Sequence, residues 1–350
     1  MKILFGIFDW GLGHATRDIP LITELLKNNE VHIISTGRAL KLTQDYFGQR
    51  CKYYDVPSVY SPYTRTPFFK TKLTITLPMI IKSLRKARKK SKIIVDQGFD
   101  KVISDCRYDV YDKLENSFFI THQVRFKTPF GIERVVERWL GKWTKKYRFV
   151  IVPDYEENDL TGLLSHNLRY ISKDRIRYVG ILSHIKKLEL PEDIDYLISI
   201  SGPEPQRTVF FKKITSQVNQ LTGKVVIAGG TPDISQTSNK DNVVFYSFLN
   251  SHQQEEMMNR AKFIISRPGY TTVMEIAELG KKNVLFLPTP GMSEQEYLAD
   301  YYEEKGYFHH VSQYRLSLKE AIESTKDFKG VIIPWKTEQS VRNFMEVINS

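Results

Sequence analysis

Cysteine is scarce in this 350-residue chain: Cys51 and Cys106 are the only two, and they form no Cys-x-x-Cys pair. A thiolate zinc cage and a disulfide framework are therefore excluded, and a reducing cytoplasmic setting is expected. No apolar run approaches the ~20 residues of a membrane-spanning helix. The opening Met1–Phe8 stretch meets Asp9 too early to serve as the apolar core of a secretion signal. Short-period repeats, low-complexity tracts, helix-turn-helix patterns and RNA-binding signatures are also missing. These absences predict a folded protein, soluble or held at a membrane surface, with no nucleic-acid partner.

Acidic residues are scarce only in the first half. Residues 1–180 hold 32 Lys and Arg against 19 Asp and Glu, a net +13, whereas residues 181–350 hold 19 against 21, a net −2. Such asymmetry assigns a polyanionic partner to the first half. The excess is densest in Phe68–Lys92, with nine basic residues and no acid among many apolar ones. Thr128–Arg148 repeats the pattern around Trp139 and Trp143, with Ile132, Val135, Val136 and Leu140 on the same helical stripe. Amphipathic stretches of this kind usually pack on a sheet with their charges solvated. For Phe68–Lys92 the stronger expectation is an interfacial segment on anionic lipid. For Thr128–Arg148 the two readings stand level.

Short Val/Ile/Leu/Phe runs alternate with amphipathic stretches along the whole chain. Candidate strands begin with Ile3–Phe8, Val31–Ser35 and Lys52–Val56 and continue through Tyr196–Ser201, Lys224–Ala228 and Phe263–Ser266. Helical stretches such as Ile19–Asn28, Val209–Leu221 and Thr272–Leu279 fall between strands. Repeated βα units predict two α/β domains with parallel sheets. The polar segment His184–Asp195 is the best linker, and Thr337–Ile348 reads as a last helix. Asp193-Ile194-Asp195 has the form of a metal-binding Asp-x-Asp, but its place in the linker predicts a solvated loop.

Four strand-to-helix loops carry chemistry. Gly11-Leu12-Gly13-His14 follows the first strand; it lacks the third glycine and the acidic partner of a dinucleotide fingerprint, which disfavours NAD. His14 stands where open sheets bind ligands. Asp105, ending the strand Lys101–Ser104, is a competing base, the group that orients His14, or a helix N-cap. Gly202-Pro203-Glu204-Pro205-Gln206-Arg207 could hold a diphosphate through backbone N–H groups and a guanidinium, or Arg207 could be a solvated first-turn residue. Gly269-Tyr270-Thr271-Thr272 opens a helix that carries Glu275 one turn in. A loop from Pro288 leads to Glu294-Gln295, a polar pair suited to sugar hydroxyls.

Together these motifs resemble the GT-B glycosyltransferases of the family 28 type, which includes MurG and monogalactosyldiacylglycerol synthase. They are closer to archaeal and bacterial transferases that open with a Gly-x-Gly-His loop. The resemblance is best over Val243–Gly306, with further matches at Met1–Leu26 and Ser199–Thr208. It implies two Rossmann-like domains with parallel sheets facing a central cleft: residues 1–183 for a membrane-facing acceptor domain and 184–335 for the nucleotide-sugar domain. Residues 336–350 would form a helix returning to the first domain.

By position, the resemblance assigns Phe248 and Leu249 to the nucleobase, and Gly202, Arg207 and Gly269–Thr272 to the diphosphate. Glu275 would take the ribose, and Glu294 and Gln295 the sugar. Gly11, Gly13, His122 and Gln123 would meet the acceptor, with His14 or Asp105 as the base. The chain differs from the MurG type in Leu12, where that type has a glycine, and in His122-Gln123-Val124-Arg125, where it reads His-Glu-Gln-Asn. The implied activity is inverting transfer from a nucleotide-sugar, of UDP by preference, to a lipid-linked or anionic acceptor, with no metal or cofactor. The enzyme would be peripheral at the cytoplasmic membrane face. The alternatives are a nucleotide-sugar hydrolase or 2-epimerase of the same architecture and, less favoured, a nucleic-acid-binding protein.

Overall fold

The computed structural model describes residues 1–59, 76–126, 133–230 and 237–350. These fall into two units: one holds the described residues up to His184 together with Pro334–Ser350, and the other runs from Ile185 to Ile333.

The first unit is built on seven parallel strands: β1 (Lys2–Ile7), β2 (Glu30–Ser35), β3 (Cys51–Asp55), β4 (Lys101–Asp105), β5 (Ser117–Ile120), β6 (Phe149–Val152) and β7 (Ile176–Tyr178). Their order is β3-β2-β1-β4-β5-β6-β7. The central strands are apolar throughout, as a sheet covered on both faces requires: Ile3, Leu4, Phe5 and Ile7 are fully buried. Helix α1 (Gly13–Leu25) follows β1, and α2 (Gly37–Phe47) follows β2. Helix α3 (Leu77–Val95) precedes β4, and α4 (Glu133–Trp143) precedes β6. The α1 helix starts two turns earlier than apolar spacing predicts. Its first turns bury Thr16, Arg17 and Asp18, so their inward face is polar and carries no apolar period.

The chain order reverses between β1 and β4. Such a reversal opens a crevice at the carboxyl ends of the strands, the place where open α/β sheets bind ligands.

The second unit repeats the plan with β8 (Ile194–Ser199), β9 (Val225–Ala228), β10 (Thr237–Lys240), β11 (Val243–Tyr246), β12 (Ala261–Ser266), β13 (Val284–Phe286) and β14 (His309–His310). The order is β10-β11-β9-β8-β12-β13-β14, all parallel except β10, which runs antiparallel to β11. Here the reversal falls between β8 and β12. Helices α5 (Gln206–Thr215), α6 (Ser251–Arg260), α7 (Tyr270–Leu279), α8 (Ser293–Glu304) and α9 (Leu318–Glu323) make the connections. Helix α5 stops at Thr215, and a single 3-10 turn, Val218–Gln220, replaces the rest of the expected helix. Asn250 caps α6 with a reciprocal Gln253 box, and Gly280 ends α7 in the left-handed region at φ +67°.

The last helix, α10 (Thr337–Asn349), belongs to the first unit and packs on α1. Phe344 and Ile348 are buried there, each such side chain contributing ~1.5–3 kcal/mol. The return is pinned by Ser183 N–H donating to Thr337 Oγ1 at 3.0 Å and by Trp335 Nε1 donating to Val179 O at 3.2 Å. Gly180 must be glycine, because a Cβ would lie 2.3 Å from Trp335 Nε1.

Candidate active site

In the first unit, β1 and β4 end side by side: Ile7 is in register with Asp105. Helix α1 begins immediately beyond β1, so His14 on its first turn faces the Asp105 carboxylate. His14 Nδ1 lies 2.9 Å from Asp105 Oδ2. Asp105 is fully buried, while 18% of the His14 side chain stays exposed. Burial, the largest effect, lowers the proton affinity of His14; Asp105 opposes it and Arg17 reinforces it, with a net lowering. The imidazole is therefore neutral at neutral pH. Burial alone would raise the Asp105 carboxyl, but Arg17 and then His14 hold it well below the usual carboxylate range. Phe8 meets the His14 ring edge-on at 5.3 Å and Trp10 at 5.0 Å, giving the pair an aromatic border.

His122 is 8% exposed, and its ring centroid lies 6.1 Å from that of His14. Gln123 follows it, with its backbone N–H held by Thr121 Oγ1. Gly11 is exposed and Gly13 is the first residue of α1. The group of His14, Asp105 and Cys106 brings ligand-type atoms within 4.8 Å of one another. It does not suit a metal cation, because Arg17 already places a positive charge on that carboxylate and burial holds the Cys106 thiol protonated. Asp154, Asp159 and His166 have similar spacing, but Asp154 is taken up by the N–H groups of Tyr155, Leu160 and Thr161.

In the second unit, the loops after β8 and β12 meet at the other reversal. Leu249, Gln254, Ser266, Thr272 and Glu275 line one cavity, which brings together three residues assigned to the donor from sequence. Glu275 is 2% exposed, and Gln254 Nε2 donates to its Oε2 at 3.2 Å. Burial pushes its carboxyl up to about 8. Phe248 is half-buried beside Leu249; Gly269 is extended at the α7 N-terminus, followed by buried Tyr270 and half-buried Thr271. Gly202 has φ +107°, a backbone conformation that favours glycine, and a Cβ there would lie 3.3 Å from Thr289 Oγ1.

Other assigned donor residues are already engaged. Arg207 Nε and Nη2 donate to Glu204 Oε1 at 3.0 and 2.7 Å, and Nη1 donates to Gly230 O. A phosphate at Arg207 would have to displace Glu204. Gln295 Oε1 accepts from Thr289 N–H, while Glu294 lies half-buried on the first turn of α8. Asp193 and Asp195, the Asp-x-Asp pair, are bound by Lys224, Arg260 and Lys262.

Sequence reasoning passed over two buried arginines. Arg17 joins Asp105, His14 and His122. Arg267, 2% exposed, donates to the carbonyls of Leu287, Pro288 and Gln206 and to Gln313 Oε1, and stacks 4.4 Å over Phe210. Burial lowers Arg267 to about 9, which leaves it cationic at neutral pH. For Arg17 a signal existed: it stands three residues after His14, on the same helical face.

The basic face of the first unit is formed by α3 and α4. Helix α3 buries Leu84, Ala87, Ile94 and Val95 and exposes Met79, Ile81, Lys82, Arg85, Lys86, Lys89, Lys90 and Ile93. Helix α4 exposes Val135 and Trp139 between Arg134, Arg138 and Lys142. Tyr111 ties the two: the Arg88 guanidinium lies 3.6 Å over its ring and Lys146 Nζ 4.4 Å from it. Phe68–Ile75 and Thr128–Ile132, parts of the two segments expected to meet lipid, lie outside the described residues. Among the described residues no helix is long and apolar enough to cross a membrane.

Residues 202–345 match the glycosyltransferase family 28 C-terminal domain, and residues 1–111 match the glycosyl transferase family 1 description. No curated protein sequence matches the chain. Among solved structures, the fold is similar to MurG of Acinetobacter baumannii, with 12% identity, TM-score 0.53, and coverage of 100% of this chain and 95% of that one. It is also similar to UGT89C1 of Arabidopsis thaliana complexed with UDP-L-rhamnose (11%, 0.61, 99% and 92%). A UDP-N-acetylglucosamine 2-epimerase shares the architecture (14%, 0.55, 99% and 95%).

Proposed function

We propose that this chain, a GT-B glycosyltransferase with a family 28-like C-terminal domain, moves a sugar from a UDP-sugar to a lipid-linked or anionic acceptor at the cytoplasmic face of a membrane. The observation that carries the reading is the His14–Asp105 pair at 2.9 Å. With Nδ1 turned to the carboxylate, Nε2 is the atom left to take a proton, and burial keeps the imidazole neutral. An acceptor hydroxyl would attack the anomeric carbon with inversion and give its proton to His14. The bond to the diphosphate would break, and the leaving charge would fall to the α7 N-terminal amides, to the Arg267 cation and, where the phosphate displaces Glu204, to Arg207. These groups supply what a metal would otherwise supply, so the reading includes no metal or cofactor. Glu275, with Thr272 and Leu249 beside it, would take the ribose.

Two features support a UDP-sugar donor and a membrane acceptor. The structural relative UGT89C1 is complexed with UDP-L-rhamnose, and the solvent-facing sides of α3 and α4 combine exposed apolar side chains with lysines and arginines. Such a face suits anionic headgroups, at ~1 kcal/mol per basic residue near the surface.

The test begins with thermal shifts on UDP, GDP, TDP and CMP. Labelled sugar nucleotides of the stabilising base are then incubated with a lipid extract. Label moving into the organic phase supports the reading. Free or epimerised sugar formed without any acceptor would replace it with the hydrolase or 2-epimerase alternative.

A further inference from the structure

Arg17 lies one turn along α1 from His14 and is 1% exposed. Its Nε donates to Asp105 Oδ2 at 2.9 Å, and Nη2 donates to Asp105 Oδ1. Nη2 also lies 2.9 Å from His14 Nδ1, and Nη1 lies 2.8 Å from His122 Nδ1. A guanidinium has only N–H donors. His122 Nδ1 must therefore accept, which places the His122 proton on Nε2 and keeps that ring neutral beside a cation. Both Asp105 oxygens are occupied by Arg17, and Oδ2 is shared with His14. In the tautomer a base needs, His14 Nδ1–H donates to Asp105 Oδ2, so the nearby Nη2 makes no hydrogen bond to it; Arg17 fixes the carboxylate and His122 directly, and His14 only through Asp105.

We propose that Arg17 is a positioning residue for the transfer: its guanidinium holds Asp105 against His14 Nδ1 and sets the His122 ring through its Nδ1. The inference rests on the glycosyl-transfer reading. The charges support it. Asp105 on its own would favour a protonated His14, which cannot act as a base; burial is the main effect that opposes that pull, and Arg17 adds to it. Burial, and then Asp105, raises the Asp18 carboxyl well above the usual carboxylate range, with Arg17 opposing. Cys106 stays a thiol.

The test uses histidine-selective 15N NMR on the full chain, with Arg17→Met and Arg17→Lys as variants. In the wild type, neutral His122 should carry its proton on Nε2. In Arg17→Met, the His14 midpoint and the acidic limb of the kcat/KM profile should rise together by about one unit or more. Turnover should fall ~100-fold with UDP affinity unchanged. Arg17→Lys should recover part of the turnover, since an ammonium reaches fewer of the acceptors. An unmoved His14 midpoint in folded Arg17→Met would reduce Arg17 to a structural ion pair. If Arg17→Met does not fold, the wild type decides: a His122 proton on Nδ1 overturns the assignment. Absence of transfer with every sugar nucleotide would sink the proposed function but leave the NMR result standing.

Discussion

Glu275 offers the sharpest quantitative test of the donor site. Its carboxyl is displaced from an ordinary 4.5 to about 8 by burial, with only Gln254 opposing the shift. The folded protein therefore binds more protons than the unfolded chain between pH 4.5 and 8. Stability must fall as pH rises through that window and level off above it. At 1.36 kcal/mol per unit, the ceiling is roughly 5 kcal/mol, and relaxation on ionisation should leave about 2 kcal/mol. Glu275→Gln keeps the shape and removes the titration. The variant should match the wild type at pH 5 and melt ~4–8 °C higher at pH 8.5, read from the second unit's transition in differential scanning fluorimetry. The same carboxylate accepts from ribose hydroxyls in the proposed complex, so UDP binding should release a proton. Wild-type UDP affinity should rise between pH 6 and 8, and that of Glu275→Gln should stay flat and lower. An equal difference in melting temperature at pH 5 and pH 8.5 would refute the burial argument. A pH-independent UDP affinity in the wild type would remove Glu275 from the nucleotide.

His14→Ala should lower transfer ~100-fold or more while UDP affinity, measured by calorimetry, holds; retained turnover would pass the base to Asp105. Arg267→Met should weaken UDP binding more than uridine binding, because only the diphosphate feels the lost cation; equal losses would mark Arg267 as a scaffold alone. Replacing Lys82, Arg85, Lys86, Lys89 and Lys90 by Gln should abolish pelleting with anionic vesicles at low salt without changing UDP affinity. Wild-type protein that stays in the supernatant would return this face to ordinary solvation. Phe344→Ala should destabilise the first unit by ~3–5 kcal/mol in urea unfolding, since the ring is fully buried in α10; a loss under 1 kcal/mol would mean α10 is dispensable.

The alternation of apolar runs with amphipathic helices was enough to read both sheets, because buried parallel strands such as Ile3–Ile7 and Val225–Ala228 are apolar at every position. Strand β10 was not legible: Thr237-Ser238-Asn239-Lys240 has no apolar residue and owes its form to pairing with β11. The early start of α1 was hidden for a related reason. Its inward face is made of Thr16, Arg17 and Asp18, and the apolar period begins only at Ile19. The glycine loops could be found from their motifs and their place after strands; of their glycines, Gly202 at φ +107° is restricted by backbone geometry, whereas Gly11 and Gly269 have open space at Cβ. Arg267 could not be found, because an arginine in a sequence reads as solvated until the acceptors around it are known, and the sole signal for Arg17 was its place one helical turn after His14. Arg207 shows the converse: its N-terminal place suggested a free cation, and Glu204, three residues away, pairs with it, so a phosphate there would displace that carboxylate.

The two hidden arginines also explain why similar frameworks suit different ligands. Burying a guanidinium is costly unless its donors are satisfied, and each site satisfies them in its own way. Around Arg17 the principal acceptor is the Asp105 carboxylate, so the pair is neutral. A neutral crevice neither attracts nor repels an uncharged hydroxyl, whose proton would go to His14 in the proposed reaction. Around Arg267 the acceptors are three backbone carbonyls and the amide of Gln313, none of them charged. Its positive charge therefore survives, and it sits beneath the loop of Gly202, whose Cβ position is 3.9 Å from Arg267 Nε. In the proposed reaction, a diphosphate drawing near that loop would meet a cation shielded from water, and the attraction would grow as negative charge builds on the leaving oxygen. One strand-turn-helix plan thus presents a neutral crevice in the first unit and a positive one in the second, and the difference comes from what each buried arginine is bonded to.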